Sequence, residues 1–288
     1  MMSASCLLKG RSLLRKPITA RDTGETLGTV QDIVFDHDQN QVLAFLLDHR
    51  WRVEARTLPW SGIYAVQPDG VTAHNAAMIT SGVNLLTVRR VFERESIRRG
   101  TRLMLRSGQV LGRVQDIYFT AYGVLEGYAV QDRGETGDNL YFVPAPRAVW
   151  VERGTAILPD DHLRGMEENA AARRRLPHAL RLLARDVWTR ADLGDYDPQS
   201  DTIPRALVHA VARAAVHLAE GLRATRAVMT RDGWYIVVRG QIVTARTLER
   251  ARAHNQERAL LTAVGVNPMH ELLAVLRQQE PSGSKRGS

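Results

Sequence analysis

The 288-residue chain has little cysteine and no long apolar segment. Its single cysteine, Cys6, excludes an internal disulfide and a zinc site built from several thiolates. The absence of any run of about 18 uncharged apolar residues excludes a membrane-spanning helix of ordinary length. Lys9, Arg11, Arg15 and Lys16 interrupt the apolar pairs near the N-terminus, so no signal peptide is expected. We therefore expect a cytoplasmic protein that does not associate with membranes.

The common motifs of catalysis and cofactor binding are also missing. The chain has no G-x-S-x-G, no P-loop, no G-x-G-x-x-G after a predicted strand and no C-x-x-C. Residues that meet only in the folded chain would escape such a search. The sequence therefore predicts a non-enzymatic protein with no catalytic residue, no cofactor, no metal site and no small-molecule substrate.

Two acidic segments have some features of a divalent-cation site. Asp36, Asp38 and Asn40 open like a calcium loop, but the later positions of the segment lack the glycine and the bidentate glutamate that such a loop needs. The acidic segment at 195–201 follows no apolar strand, and clusters of this kind usually make turns or helix caps. We interpret both segments as turns.

The charge of the chain is strongly basic and comes almost entirely from arginine. The formal net charge is +8 at pH 7, and the isoelectric point is about 10.1. Lysine occurs only at Lys9, Lys16 and Lys285. A basic balance favours nucleic acid, anionic membranes or acidic proteins as partners. Charge that is spread along the chain is weaker support for such a partner than a clustered stripe would be.

A sequence repeat occupies the first half of the chain. Residues 24–35 read Gly-Glu-Thr-Leu-Gly-Thr-Val-Gln-Asp-Ile-Val-Phe, and residues 108–119 read Gly-Gln-Val-Leu-Gly-Arg-Val-Gln-Asp-Ile-Tyr-Phe. The second run begins 84 positions after the first. We therefore predict two copies of one unit, at residues 10–82 and 93–163.

Each predicted unit consists of short strands. In the first copy, Gly24 and Gly28 bracket a tight turn, and residues 42–47 form an apolar strand. Pro59 and Pro144 mark a strand start or a sheet edge, because proline has no N–H to donate. Short strands at regular spacing, with no helix between them, predict a small β-barrel that closes its own apolar interior in each copy.

The first copy resembles the PRC-barrel domain family. The resemblance is carried by the run at 24–36, the apolar strand after it, and the sequence Leu-Pro-Trp at 58–60. That family includes the cytoplasmic barrel of the photosynthetic reaction-centre H subunit and the C-terminal domain of a ribosome-maturation factor. The resemblance implies adaptor or assembly modules with no shared catalytic residues. The second copy departs from the pattern, with Ala145 in place of Trp60 and a longer loop at 132–139.

The second half of the chain changes to arginine- and alanine-rich helix. Pro177 is expected in the first turn of one helix, and Pro204 is expected to open another that continues to about Leu222. Thr244 is expected to cap a further helix that ends at Gly265.

Other signals complete the prediction for this half. Asp232-Gly233 indicates a hairpin. We predict an α+β region at 164–280 and a disordered tail at 281–288. The predicted fold is thus mostly β in the N-terminal half, as two tandem PRC-like barrels, followed by an α+β C-terminal region.

Two surfaces are candidates for binding. Tryptophan is enriched where protein partners dock, so we predict that Trp51, Trp60 and Trp150 contact a protein partner of unknown identity. The same residues also fit a partly buried position. The second surface is a basic helix suited to phosphate or an anionic surface, with the residues Arg173, Arg174, Arg175, Arg181, Arg185 and Arg190. A solvated charged face is the alternative for that helix.

The sequence therefore favours a tandem-barrel adaptor that binds a protein. The alternative is an RNA- or ribosome-associated factor that binds phosphate through the basic helix. Fold analogy supports that alternative only weakly.

Overall fold

The computed structural model describes residues 6–48, 52–131, 140–191, 203–270 and 273. The chain divides into two compact units, and each is described by itself. Unit 1 takes in Met1–Met166 and Met229–Gln241, and unit 2 takes in Glu167–Val228 and Ile242–Ser288. Residues 229–241, which were predicted to belong to the region 164–280, therefore cluster with the first half of the chain.

Several predictions fall on positions that lie outside the described residues. These are Trp51, the loop at 132–139, the acidic segment at 195–201 and the tail at 281–288.

The first repeat of unit 1 is rich in strands, as predicted. Its helices are α1 (Gly10–Leu13) and α2 (Leu86–Glu93). Its strands are β1 (Leu7–Lys9), β2 (Pro17–Ala20), β3 (Thr26–Thr29), β4 (Asp32–Asp36), β5 (Gln41–Leu46), β6 (Arg56–Pro59), β7 (Ile63–Gln67), β8 (Gly70–Ala73) and β9 (Thr80–Ser81).

The second repeat and the later segments continue the numbering. The strands of the second repeat are β10 (Arg102–Leu105), β11 (Val110–Thr120), β12 (Leu125–Gln131), β13 (Leu140–Pro144), β14 (Trp150–Glu152) and β15 (Thr155–Leu158). The later strands are β16 (Val228–Met229) and β17 (Tyr235–Val237). The helices of unit 2 are α3 (Ala170–Arg190), α4 (Arg205–Ala215), α5 (Ala245–Ala253) and α6 (Glu257–Ala263).

The outer strands of the two repeats pair in the same way. β2 pairs antiparallel with β3 and parallel with β8, and β8 pairs antiparallel with β7. β10 pairs antiparallel with β11 and parallel with β15, and β15 pairs antiparallel with β14. Ile18 lies opposite Gly28, and its counterpart Leu103 lies opposite Gly112, with a register shift directly after each pair.

The central hairpins of the repeats also share one register. In β4, β5 and β6, Ile33 lies opposite Phe45, which lies opposite Leu58. In β11, β12 and β13, the equivalent row runs from Ile117 to Tyr128 to Val143. Equivalent positions of the sequence repeat thus occupy equivalent positions in the sheets.

The described strands form open sheets, and no closed barrel is detected among them. The first repeat is split between the order β3-β2-β8-β7 and the order β4-β5-β6-β9. The second repeat lies in one larger sheet with the path β14-β15-β10-β11-β1-β17, from which β12 and β13 branch. The difference arises because β11 is continuous where β3 and β4 are separate strands.

The two repeats share one apolar core, in contrast to the prediction of two separate interiors. Buried residues from both repeats belong to a single cluster, which includes Ile18 and Phe45 of the first and Leu103 and Phe119 of the second. The cluster also contains Tyr128, whose ring centroid lies 6.3 Å from that of Phe35. Burying both apolar faces in one core removes more apolar surface from water than two small interiors would.

The turns of the two central hairpins meet through a symmetric pair of hydrogen bonds. The Val42 N–H donates to the Gly123 carbonyl at 2.7 Å, and the Leu125 N–H donates to the Asn40 carbonyl at 2.8 Å. Gln41 lies opposite Val124 between them. The contact joins equivalent segments of the repeat in a reciprocal way, which is the arrangement expected for two copies related by a twofold axis.

The second apolar face of each central hairpin is covered by a different element. In the first repeat, Val88 and Val91 of α2 pack on Val34 and Leu46. In the second repeat, Leu7 and Val238 belong to the cluster that covers Tyr118, Ala129 and Phe142. Residues 229–241 thus cover an apolar face of the second repeat, and α2 covers the equivalent face of the first.

Unit 2 shows where helix signals in the sequence were misleading. α3 begins at Ala170, where the Asn169 side chain accepts hydrogen bonds from the Ala171 and Ala172 N–H groups. Pro177 therefore lies inside the helix, and the prediction that it marks the first turn was wrong. An effective cap upstream lets the helix start early, although proline removes one backbone hydrogen bond.

The later helices of unit 2 are shorter than predicted. α4 ends at Ala215 and continues as a 3₁₀ turn over Val216–Ala219, rather than running to Leu222. Thr244 caps α5, as predicted. The single helix expected up to Gly265 is instead divided into α5 and α6, because Asn255 adopts a left-handed conformation with φ of 53°. No helix among the described residues is both long and apolar enough to cross a membrane.

Candidate functional site

A pocket in unit 1 is built from the same motif of both repeats. Asp32 and Ile33 line it from β4, and their counterparts Asp116 and Ile117 line it from β11. Its volume is about 110 Å³. The Asp-Ile pair of the repeated motif therefore lines the pocket from both repeats.

Asp116 ties the N-terminal segment to the second repeat. Its Oδ1 accepts from the Ile117 N–H at 2.8 Å and from the Arg11 N–H at 3.0 Å, and its Oδ2 lies 3.2 Å from the Arg11 nitrogen. Burial raises the pKa of Asp116 to about 6, although these hydrogen bonds and the charges of Lys9 and Arg11 act in the opposite direction. A substantial part of this carboxyl group is thus neutral in mildly acidic solution.

Asp32 has a similar local geometry without the N-terminal contact. Its Oδ1 accepts from the Ile33 N–H at 2.8 Å. Burial raises the pKa of Asp32 as well, while the hydrogen bond from Ile33 and the charge of Arg98 lower it. The charge of Arg98, which precedes the motif of the second repeat, thus lowers the pKa of Asp32 in the first repeat. The charge of Arg11, which precedes the motif of the first repeat, likewise lowers the pKa of Asp116 in the second repeat.

Most of the remaining pocket wall is apolar. Leu14, Phe35 and Val114 line it together with the two isoleucines. Arg98 and Arg99 line the pocket and also line a larger groove of about 730 Å³. The two concave surfaces therefore adjoin at this pair of arginines.

The groove is rich in arginine. Besides Arg98 and Arg99, its lining includes Arg113 and Arg153, and the Arg113 side chain donates to the Gly100 carbonyl at 2.8 Å. Arg94 also lines the groove, but it forms ion pairs with Asp36 and Asp38. The segment that opens like a calcium loop is thus engaged with an arginine.

The described residues contain no group of three or more acidic, histidine or cysteine side chains placed to hold a metal ion. The Asp36 Oδ1 instead accepts from the Asp38 N–H at 2.9 Å, which is the geometry of an Asx turn.

Tyr128 offers a test of the shared core. The side chain is fully buried, and its hydroxyl has no hydrogen-bond partner among the described residues. We expect Tyr128→Phe to raise the free energy of unfolding by about 1–2 kcal/mol, because an unpaired buried hydroxyl is costly. Urea denaturation followed by circular dichroism measures the change.

Tyr141→Phe is the matched control for that measurement. The Tyr141 hydroxyl donates to the Leu111 carbonyl, so its removal should lower the free energy of unfolding by about 1 kcal/mol. A loss of stability in Tyr128→Phe as well would show that the Tyr128 hydroxyl is hydrogen-bonded in solution, contrary to the structure.

The predicted partner-binding tryptophans occupy different environments. Trp150 is 67% exposed and lies on β14, at the edge of its sheet. Trp60 is half-buried and packs on the shared core, with its ring centroid 6.1 Å from that of Phe45. The structure therefore presents Trp150 to solvent, while partner binding by any of the three remains a prediction.

The predicted basic surface lies on α3, and its residues differ in their contacts. Arg173 is half-buried, and it contacts the Glu168 carboxylate and the Val264 carbonyl within unit 2. Arg190 pairs with Asp186 at 3.0 Å. The exposed members besides Arg190 are Arg174, Arg175, Arg181 and Arg185. Arg173 thus stabilises the start of the helix, and phosphate binding by the others remains a prediction.

Sequence reasoning missed the pocket and the arginine groove. The signal was present, since the sequence Gln-Asp-Ile is identical in both copies. Only the folded chain shows that the two copies of this motif line one cavity.

Comparison with known proteins gives one result. Residues 7–77 match the family model of the PRC-barrel domain, about a quarter of the chain. A search of curated proteins found no match. The match spans β1 to β8, including the glycine-bracketed turn and the central hairpin. The chain therefore carries a PRC-barrel domain at residues 7–77, a generally non-catalytic module that is often used in protein interactions.

Proposed function

We propose that this chain is a non-enzymatic adaptor or assembly protein that uses two PRC-barrel-like modules to bind a protein partner. The PRC-barrel domain at residues 7–77 carries the proposal. The family's modules are generally non-catalytic, which is consistent with a chain that lacks the common catalytic motifs.

The second module is part of this proposal. Residues 93–163 repeat the sequence motif, the strand order and the pairing register of the first module. The shift after Leu103 repeats the shift after Ile18, and duplication explains such an irregularity better than independent origin does. We infer that the two modules arose by duplication and fold as a pair around one core.

The edge of the second module is the proposed docking surface. β14 pairs only with β15 among the described strands, which leaves its other edge open to a partner strand. Trp150 on this edge is exposed, and a tryptophan at such a position can supply a large share of binding energy.

Trp150→Ala is expected to weaken partner binding by about 30-fold or more, which corresponds to a hot-spot loss of about 2 kcal/mol. The partner is first identified by crosslinking and co-purification from the native cell. Its affinity for the purified chain is then measured by calorimetry at high salt, where nonspecific ionic contacts are screened.

Tyr122→Ala is the control for that substitution. Tyr122 is 63% exposed, but it lies in the turn between β11 and β12 rather than on β14. Equal binding by Trp150→Ala and the native chain would place the interface elsewhere. Turnover of a small molecule by the purified chain, abolished by single surface substitutions, would overturn the non-enzymatic proposal.

The exposed arginines of α3 support an RNA- or ribosome-associated role as the second candidate. If they bind phosphate, affinity for RNA should fall steeply with salt, by a factor that reflects the number of phosphates contacted. Replacing both Arg181 and Arg185 with glutamate, which reverses their charge, should reduce the salt dependence of RNA binding. Binding to anionic vesicles but not to RNA would favour a membrane surface instead.

A further inference from the structure

We propose that the pocket and the adjoining arginine groove of unit 1 together form a binding site for a small phosphate ester. The phosphate lies in the groove, and an apolar or planar organic group enters the pocket. This inference goes beyond the adaptor role, because the site requires no protein partner.

The groove has an excess of positive charge. Two of its charged residues are already neutralised by neighbours: Arg94 pairs with Asp36 and Asp38, and Glu93 pairs with Arg89 at 3.0 Å. The other charged residues of the groove are Glu95, Arg98, Arg99, Arg113 and Arg153, and the charge of Arg98 also acts on the Asp32 carboxyl group. Arg99, Arg113 and Arg153 by themselves outnumber Glu95. Glu152 lies 3.8 Å from Arg153, and both side chains are mostly exposed, so water screens that pair strongly.

Arginine suits a phosphate ligand better than a simple point charge would. The guanidinium group offers several N–H donors in a planar fork, which matches two oxygens of one phosphate. Arg98 and Arg99 are adjacent in sequence and line both concave surfaces, so they lie where the head and the organic group of one ligand would join.

The pocket has the opposite character. Leu14, Phe35 and Val114 give it apolar walls, and its volume of about 110 Å³ is somewhat smaller than that of an engineered cavity of about 150 Å³ that binds benzene. It therefore holds a group of about five or six heavy atoms.

The two pocket carboxyl groups set the orientation of the ligand. Asp32 and Asp116 line the pocket, where they repel a phosphate and accept hydrogen bonds from N–H or O–H groups. The phosphate is thus directed to the arginines, and an organic group with a donor at its edge is favoured inside. This combination of apolar walls with a few polar groups is typical of small-molecule sites.

Calorimetry on the full chain with three probes tests the proposal. Phenyl phosphate should bind at least about tenfold more tightly than inorganic phosphate, because burial of the ring adds to the ionic contacts. Phenol, which lacks the phosphate, should bind at least about tenfold more weakly than phenyl phosphate. Equal affinities for phenyl phosphate and inorganic phosphate would show nonspecific anion binding by the arginines and would overturn the proposal.

One substitution tests the arginine groove. Arg99→Glu should weaken phenyl phosphate binding at least about tenfold. Arg90→Glu is the matched control, because it changes the net charge equally on the exposed side of α2, outside the groove lining. Equal losses in these two variants would reduce the effect to overall charge and contradict the proposed site.

Leu14→Trp tests the pocket in a second way. The larger side chain should fill the pocket and abolish the preference for phenyl phosphate over inorganic phosphate, with binding of inorganic phosphate unchanged. A preference that survives this substitution would place the organic group elsewhere and overturn the proposal. AMP serves as a further probe, and tighter binding of AMP than of phenyl phosphate would identify the ligand as a nucleotide.

Discussion

Replacing Gly112 with alanine is expected to lower the free energy of unfolding of unit 1 by about 3–5 kcal/mol. Gly112 has a φ of +132°, which an L-residue with a side chain rarely adopts. An added Cβ would lie 2.2 Å from the Gln131 carbonyl oxygen and 2.9 Å from a Val130 side-chain carbon. Since that oxygen belongs to the neighbouring strand β12, relief requires the β11–β12 pairing to move.

Gly28→Ala is the informative comparison, because Gly28 is the equivalent residue of the first repeat. Its φ is +155°, but an added Cβ would meet only the Leu47 side chain, at 3.1 Å. A side chain can rotate away, so we expect a loss of about 1–2 kcal/mol. Gly108→Ala, with a φ of +88° and open space around the added Cβ, should show the backbone strain alone, about 1 kcal/mol.

Urea denaturation of the three variants, with amide hydrogen exchange at β11 and β12, measures these differences. Hydrogen exchange assigns the loss to unit 1, which a global signal from a two-unit chain does not do. Equal losses for Gly112→Ala and Gly28→Ala would contradict the close approach of β12 to Gly112.

The stability of unit 1 is expected to depend on pH through Asp116. The pKa of this group is about 6 in the folded chain, above its usual value of 3.8. The folded state therefore holds the proton more tightly than the unfolded state does. Its contribution to stability is fully present below about pH 4 and is lost as the pH rises through about 6, by a total of about 3 kcal/mol.

Asp116→Asn should remove this dependence. The amide oxygen can still accept from the Arg11 and Ile117 N–H groups, as Oδ1 of Asp116 does. The variant should therefore gain stability relative to the native chain as the pH rises from about 4 to about 7. Urea denaturation of both proteins across that range gives the difference between their free energies of unfolding. The contributions of the other carboxyl groups cancel in this difference because both proteins contain them.

A direct titration of Asp116 provides the independent check. NMR of its carboxyl carbon should show a midpoint near pH 6, well above the usual aspartate value of 3.8. A difference in stability between the two proteins that stays constant with pH, together with an ordinary midpoint, would refute the raised pKa.

Both predictions depend on contacts between segments far apart in sequence. The Arg11 N–H reaches Asp116 across 105 positions, and Gly112 approaches a strand whose position depends on the hairpin turn. The sequence repeat marks Gly28 and Gly112 as equivalent, and Asp32 and Asp116 as equivalent. Their surroundings differ, so equivalence in sequence does not imply equal energetic roles.

The proposed ligand site shows the same limit. Arg98 and Arg99 stand in an unremarkable segment of the sequence, and no motif connects them with Asp32 or Phe35. The chemistry of the pocket arises because the Asp-Ile pairs of both copies line one cavity.

Local sequence patterns by themselves determined the elements of the PRC-barrel domain and its repeat. Glycine turns and apolar runs mark the strands, Asp232-Gly233 marks a hairpin, and Thr244 marks a helix start, because each depends on backbone geometry within a few residues. The prediction that Pro59 marks a strand start or a sheet edge was wrong, because Pro59 ends β6, which pairs with both β5 and β9. Only the tertiary structure decided that the two repeats bury one core. It also decided that α2 and residues 229–241 cover their outer faces and that Pro177 lies within a helix. These outcomes depend on which apolar surfaces pack together. Because the hydrophobic effect is non-directional, a local sequence pattern shows that a surface is apolar but not which other surface it packs against.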